Sequence, residues 1–134
     1  MNKRAVFPPH SRCAAERLKM SPGILADGFL FLTGVTGGDA RGDMPEDPEV
    51  QFRNCFSKIL LVLQEVGLTF DDVVEMTTYH VGLREHFDRF DAIRLENLGE
   101  PYPAWTAIEV AGLRRDGAVV EIRAIAKAAK LPPA

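Results

Sequence analysis

What most limits the fold of this chain is a mismatch between its strands and its helices. Phe29-Leu30-Phe31-Leu32 is apolar at every position. In residues 119–126, Val119 and Ile125 occupy one parity and Val120 and Ile122 the other, so both faces of that strand are apolar. Residues 73–81 repeat the pattern, with Val73 and Val81 opposite in parity to Val74 and Met76. Strands of this kind require cover on two faces. Only two segments carry the periodicity of a helix, and two helices can cover one face of one sheet. A large bare apolar face is not tolerated in a soluble monomer, so a homo-oligomer that buries the second face is expected. Clefts between its subunits are then candidate sites.

The remaining elements follow from local signals. Residues 10–20 are polar and read as irregular, and Ser21-Pro22-Gly23 punctuates the chain. Ile24-Leu25-Ala26 then leads through Asp27-Gly28, a tight hairpin turn, into residues 29–33. Gly34 to Met44 is a Gly- and Asp-rich loop. Asp47-Pro48-Glu49 places an N-cap, a first-position proline and a first-turn acid in sequence, and the helix they open runs to about residue 66. Phe52, Phe56, Ile59, Leu60, Leu63 and Val66 form its apolar face, with Gln51, Asn54, Lys58 and Glu65 on the other side and Gly67 as the stop. Asp71-Asp72 opens the strand at 73–81. Gly82 leads into a charged second helix, 84–98, anchored by Phe87 and Phe90 and closed by Gly99. Two further strands lie at 102–110 and 119–126, and an extra one near residues 3–7. The order β-β-α-β-α-β-β gives an α+β fold, a single sheet with two helices on one face, in one domain spanning residues 1–134.

Composition narrows the function. The chain has 134 residues and a net charge of −3, with no basic run longer than a pair, so duplex binding by phosphate neutralisation and nucleic-acid partners in general are not expected. No stretch approaches the roughly 20 apolar residues of a membrane span, no membrane partner is expected, and a cytoplasmic protein is. Cys13 and Cys55 lie in unrelated contexts, which speaks against a metal pair or a disulfide and fits reduced thiols. Neither is assigned chemistry.

The residues that could carry chemistry sit in the last two strands. Glu121 is a lone carboxylate in an apolar strand, read as lying beside the strand that holds the only tryptophan, Trp105. Carboxylates are seldom buried without a partner, so Glu121 is either a water-positioning base or the partner of Arg123. Trp105 can stack a planar ligand or fill a subunit interface. His80 shares the parity of Val74 and Met76 and reads as a satisfied core histidine. His10 and His86 lack a second ligand at metal spacing, so no metal site and no cofactor are expected. The glycines at 34, 37, 38 and 42 match no dinucleotide or phosphate-loop pattern, and are read as turn and close-approach positions at a cleft mouth.

Taken in order, Phe31-Leu32-Thr33-Gly34, the strand at 73–81, Tyr102-Pro103-Ala104 and the segment 119–126, Val-Val-Glu-Ile-Arg-Ala-Ile-Ala, resemble the RidA/YjgF family, also called L-PSP endoribonuclease-like, over residues 20–128. The resemblance implies a chorismate-mutase-like fold, a homotrimer and three inter-subunit clefts that bind small molecules. In the deaminase branch those clefts hydrolyse enamines and imines released by pyridoxal-phosphate enzymes. There a strand glutamate positions water, and Glu121 stands at that place. An arginine after the Pro-Ala pair grips the substrate carboxylate, and Trp105 stands there. Ala107 replaces a cysteine, Met20 falls near a pocket tyrosine, Thr33 matches a serine and Asp91 a helix asparagine. The expected site is therefore Glu121 with Met20, Thr33, Gly34, Phe87, Asp91, Trp105 and Ala107. The combination of residues 78–85 with 101–110 resembles a sub-branch without the arginine. Loss of that bidentate contact removes about 1.5–3 kcal/mol and leaves Glu121 and Asp91 to repel an anion, so an anionic imine is not the expected substrate.

Two functions from different classes follow. One is a hydrolase of the enamine/imine deaminase type, with Glu121 orienting water against a C=N or C=C–N carbon. The alternative is a non-catalytic module that holds an uncharged or aromatic metabolite against Trp105. Endoribonuclease action, suggested by the family's older name, has only the Arg114-Arg115 pair in its favour.

Overall fold

The computed structural model describes residues 2–128. Strands β1 (Arg4–Val6), β2 (Gly23–Ala26), β3 (Phe29–Leu32), β4 (Val35–Thr36), β5 (Val73–His80), β6 (Ala104–Glu109) and β7 (Val120–Lys127) build one mixed sheet. Its order is β1-β2-β3-β7-β5-β6, with β4 pairing β7 beside β3. The helices are α1 (Arg12–Leu18), α2 (Pro48–Glu65) and α3 (Leu83–Asn97). All neighbours are antiparallel except β5 and β6, which are parallel and joined by the crossover helix α3.

Local chemistry explains most boundaries. Asp27 and Gly28 have φ of 51° and 78°, the left-handed pair that a two-residue hairpin needs between Ala26 and Phe29. At the start of α2 the Asp47 carboxylate accepts the Glu49 N–H at 2.9 Å, a cap worth about 1 kcal/mol, and Pro48 follows where its missing N–H is not needed. Phe52, Phe56, Ile59 and Leu63 on α2 are buried against Leu30, Val120, Ile122 and Phe90. The Phe52 and Phe90 rings meet edge-on at 5.2 Å, which locks α2 to α3. The buried amide of Gln51 donates to Pro45 O (2.6 Å) and Gly117 O (2.9 Å) and accepts from Val119 N–H (2.9 Å), so α2 also holds the loop that leads into β7.

Two expectations need correction. The lead-in at residues 10–20 is not irregular: seven of its residues form α1, whose polar sequence buries only Ala15 and so carries no amphipathic signal. On β3 the one-sided cover argued from the helices is what forms, with Leu30 and Leu32 buried and Phe31 39% exposed. Finally, β6 does not lie beside β7. The α3 crossover sends it to the far side of β5, at the edge of the sheet.

Candidate functional site

The residues expected to form one site fall into two groups. Parity decides the division. On β7, Val120, Ile122 and Ala124 are buried beneath the helices, so Glu121 between them points to the opposite face. On β6, Trp105 registers with the buried Met76 of β5 and packs beneath α3. Glu121 and Trp105 are thus two strands apart, roughly 10 Å across the sheet and about another 10 Å along it, and on opposite faces.

Glu121 belongs to an open groove of about 810 Å³ that also holds Met20, Thr33 and Gly34. The Thr33 hydroxyl donates to Ser21 O at 2.5 Å, which seats the strand end against the residues preceding β2. Gly34 has no side chain for a concrete reason: a Cβ there would collide with the Glu121 carboxylate and come within 3.1 Å of Glu121 Cγ. Among the described residues, no donor holds the Glu121 carboxylate and it makes no ion pair with Arg123. It lies free in the groove.

The electrostatics of that groove differ from expectation. Arg17, Lys58, Arg114 and Arg115 line it, against the single carboxylate of Glu121. Lys58 belongs to the polar side of its helix, yet its ammonium reaches round to donate to Thr36 O at 2.7 Å. Burial lowers its pKa, and the Arg115 charge pushes the same way. The other expected repulsive group, Asp91, is already neutralised, because Arg94 donates to Asp91 Oδ1 from Nε (2.9 Å) and Nη2 (2.8 Å). A cleft that repels anions is therefore not what the fold builds.

The second group surrounds Trp105. The Phe87 ring lies parallel to the indole at 5.8 Å and 4°, and the Arg94 guanidinium sits 4.2 Å above it. Ala107 follows on the same side of β6, in register with Thr78. The indole N–H donates to Thr78 Oγ1 at 2.9 Å, and from there a buried chain continues: Thr78 Oγ1 to His80 Nε2 at 2.7 Å, His80 Nδ1 to His86 Nε2 at 3.1 Å. Indole can only donate, and Thr78 is fully buried, so its hydroxyl hydrogen points to His80. Both histidines then carry their proton on Nδ1. Burial, with His86 adding to it, pushes the His80 pKa down to about 4, and burial lowers His86 as well. His80 is a satisfied core histidine. Its partner was missed because six residues and a strand-to-helix turn separate the two, a spacing no helical pattern would mark.

The Cys55 thiol is pushed up to about 12 by burial and is not a nucleophile. Among the described residues no three His, Cys, Asp or Glu side chains converge as metal ligands, and no helix is long and apolar enough to cross a membrane.

A single mixed sheet backed on one face by two long helices, with a parallel β5–α3–β6 crossover and an open groove at β7, defines a RidA-like α+β protein. The sequence profile described as "Endoribonuclease L-PSP" matches residues 12–128, and the chain belongs to that family. It is 30% identical to the RutC family protein YjgH of Escherichia coli, over 95% of this chain and 96% of that one. A RutC family protein of Pyrococcus horikoshii is 32% identical, over 79% and 84% of the two chains. The solved structure of protein YjgH superimposes with a TM-score of 0.88 at 29% identity, covering 98% of this chain and all of that one. RidA from an Antarctic Psychrobacter superimposes with a TM-score of 0.75 at 29% identity, over 80% and 86%.

Proposed function

We propose that the protein is a small-molecule hydrolase of the enamine/imine type, acting in clefts between the subunits of a homotrimer. The observation that carries this reading is Glu121: a carboxylate with no partner among the described residues, on a central strand of the sheet, facing an open groove. Glu121 accepts a proton from water as the water oxygen bonds to the C=N carbon. The C=N pair goes to nitrogen, which takes that proton from Glu121, and the aminoalcohol then passes its hydroxyl proton by way of Glu121 to the amine as the C–N bond breaks, releasing a carbonyl compound and ammonia.

The trimer is supported by the face away from the helices. Phe31 (39% exposed) and Ile108 (40%) stand there with Tyr79 and Ile125, an apolar surface without cover among the described residues. Assembly would also reconcile the divided site, because the β6 edge of one copy can approach the Glu121 groove of another. The non-catalytic alternative loses its anchor on Trp105, whose N–H is bonded and whose ring is flanked by Phe87 and Arg94.

The test is ammonia release from imines generated in situ by an amino-acid oxidase. Glu121→Ala should abolish the enzyme-dependent rate while light scattering still reports a trimer. Retained turnover would remove Glu121 from the mechanism, and ligand binding without turnover in the wild type would favour the binding module.

A further inference from the structure

Two of the groove's cations converge on one point. A Cβ built on Gly38 would lie 3.4 Å from Arg115 Nη1 and 3.6 Å from Lys58 Nζ, so the two charged groups stand no farther apart than the sum of those distances. One oxyanion with hydrogen bonds of about 3 Å on either side spans such a gap. Each cation is held in place by a backbone carbonyl, Lys58 by Thr36 O at 2.7 Å and Arg115 by Gly42 O at 2.5 Å. A carbonyl orients a cation without cancelling its charge. Among the described residues no carboxylate lies within 4.0 Å of either. The nearby acid, Asp39, accepts the N–H groups of Arg41 and Asp43, both at 2.9 Å. Two like charges brought together destabilise the fold; the Asp39 charge offsets the effect of Arg115 on Lys58 only in part, and burial of Lys58 increases the cost. An anion removes it.

We propose that Lys58 and Arg115 form an oxyanion subsite, taking the carboxylate or phosphate group of a small ligand whose other end lies against Glu121. The proposal rests on reading the Glu121 groove as the ligand site and names the ligand class: an anion at one end, a neutral or cationic nitrogen-bearing carbon at the other. It also replaces the grip that Trp105 cannot supply with one on a different part of the fold.

Titration of inorganic phosphate and of propanoate, followed by amide chemical shifts, tests it without turnover. In the wild type the Gly38, Thr36 and Arg115 amides should shift and saturate. Binding should weaken at least tenfold in the Lys58→Met/Arg115→Gln double variant and stay within about threefold in Lys58→Arg. Arg53→Gln, whose arginine pairs with Glu96 elsewhere on α2, should bind as the wild type does. Response to one anion alone identifies the group, carboxylate or phosphate. Wild-type affinity in the double variant overturns the proposal, as does no saturable shift up to about 50 mM of either anion, or shifts confined to other surfaces. That last readout decides the matter even if the double variant fails to fold. Glu121→Gln should keep or strengthen binding while losing turnover, so failure of the catalytic reading and failure of the subsite are seen separately.

Discussion

Acid should destabilise this protein through one buried imidazole. His80 is fully buried and takes up its proton only near pH 4, whereas in the unfolded chain it does so near 6.5. Between those values the unfolded state binds more protons, so stability is complete above about pH 6.5 and is lost as pH falls toward 4. One pKa unit corresponds to about 1.36 kcal/mol, so His80 alone costs about 2 kcal/mol by pH 5 and about 3 kcal/mol by pH 4. His86, lowered by its own burial, adds in the same direction. Against a stability of roughly 5–15 kcal/mol these are large terms. Urea unfolding at fixed protein concentration, followed by far-ultraviolet circular dichroism at pH 7, 6 and 5, measures them. A His80→Asn variant, which cannot titrate, should be less stable at pH 7 but lose about 2 kcal/mol less than the wild type on going to pH 5. Parallel pH curves for the two proteins would refute the argument. The same chain of bonds predicts that nitrogen shifts of His80 and His86 in the wild type report the Nδ1–H tautomer at neutral pH.

Three other perturbations have defined outcomes. Gly34→Ala places a methyl group where the Glu121 carboxylate lies; stability should change by less than about 0.5 kcal/mol while turnover falls on the order of 100-fold, and an unchanged rate would mean that the carboxylate position is unimportant. Gln51→Leu leaves Val119 N–H and the Pro45 and Gly117 carbonyls without their partner and should cost about 3 kcal/mol in denaturant unfolding. Phe31→Glu puts a charge on the uncovered sheet face and should shift the light-scattering mass to that of a monomer, whereas an intact trimer would exclude this face from the interface.

The fold was legible wherever a local rule governs it. The Asp27-Gly28 turn and the Asp47-Pro48 helix start are each fixed by a few adjacent atoms, and both formed as the residues indicate. What escaped was what depends on topology. Glu121 and Trp105 lie on consecutive strands, but the α3 crossover inserts β5 between them, and adjacency in sequence gave no sign of it. Lys58 and Arg94 escaped for a different reason. Their positions on the helices look solvent-facing, and only the reach of long side chains brings one to Thr36 O and the other over Trp105. The Arg114-Arg115 pair was visible as a basic doublet, yet its nearness to Glu121 follows from how the loop before β7 folds back, held by Gln51.

That loop has an evolutionary consequence. Glu121 is fixed on a strand whose flanking residues, Val120 and Ile122, are wholly buried, so its place cannot change without rebuilding the core. Arg114 and Arg115 instead sit on a surface connection, the part of a domain most tolerant of replacement. Exchange of residues 111–117 between relatives could therefore alter which molecules are admitted without touching the carboxylate or the sheet. On the proposed reading, the Glu121 chemistry and the loop's share of ligand choice would then be inherited as separate modules, with Lys58 on α2 common to both.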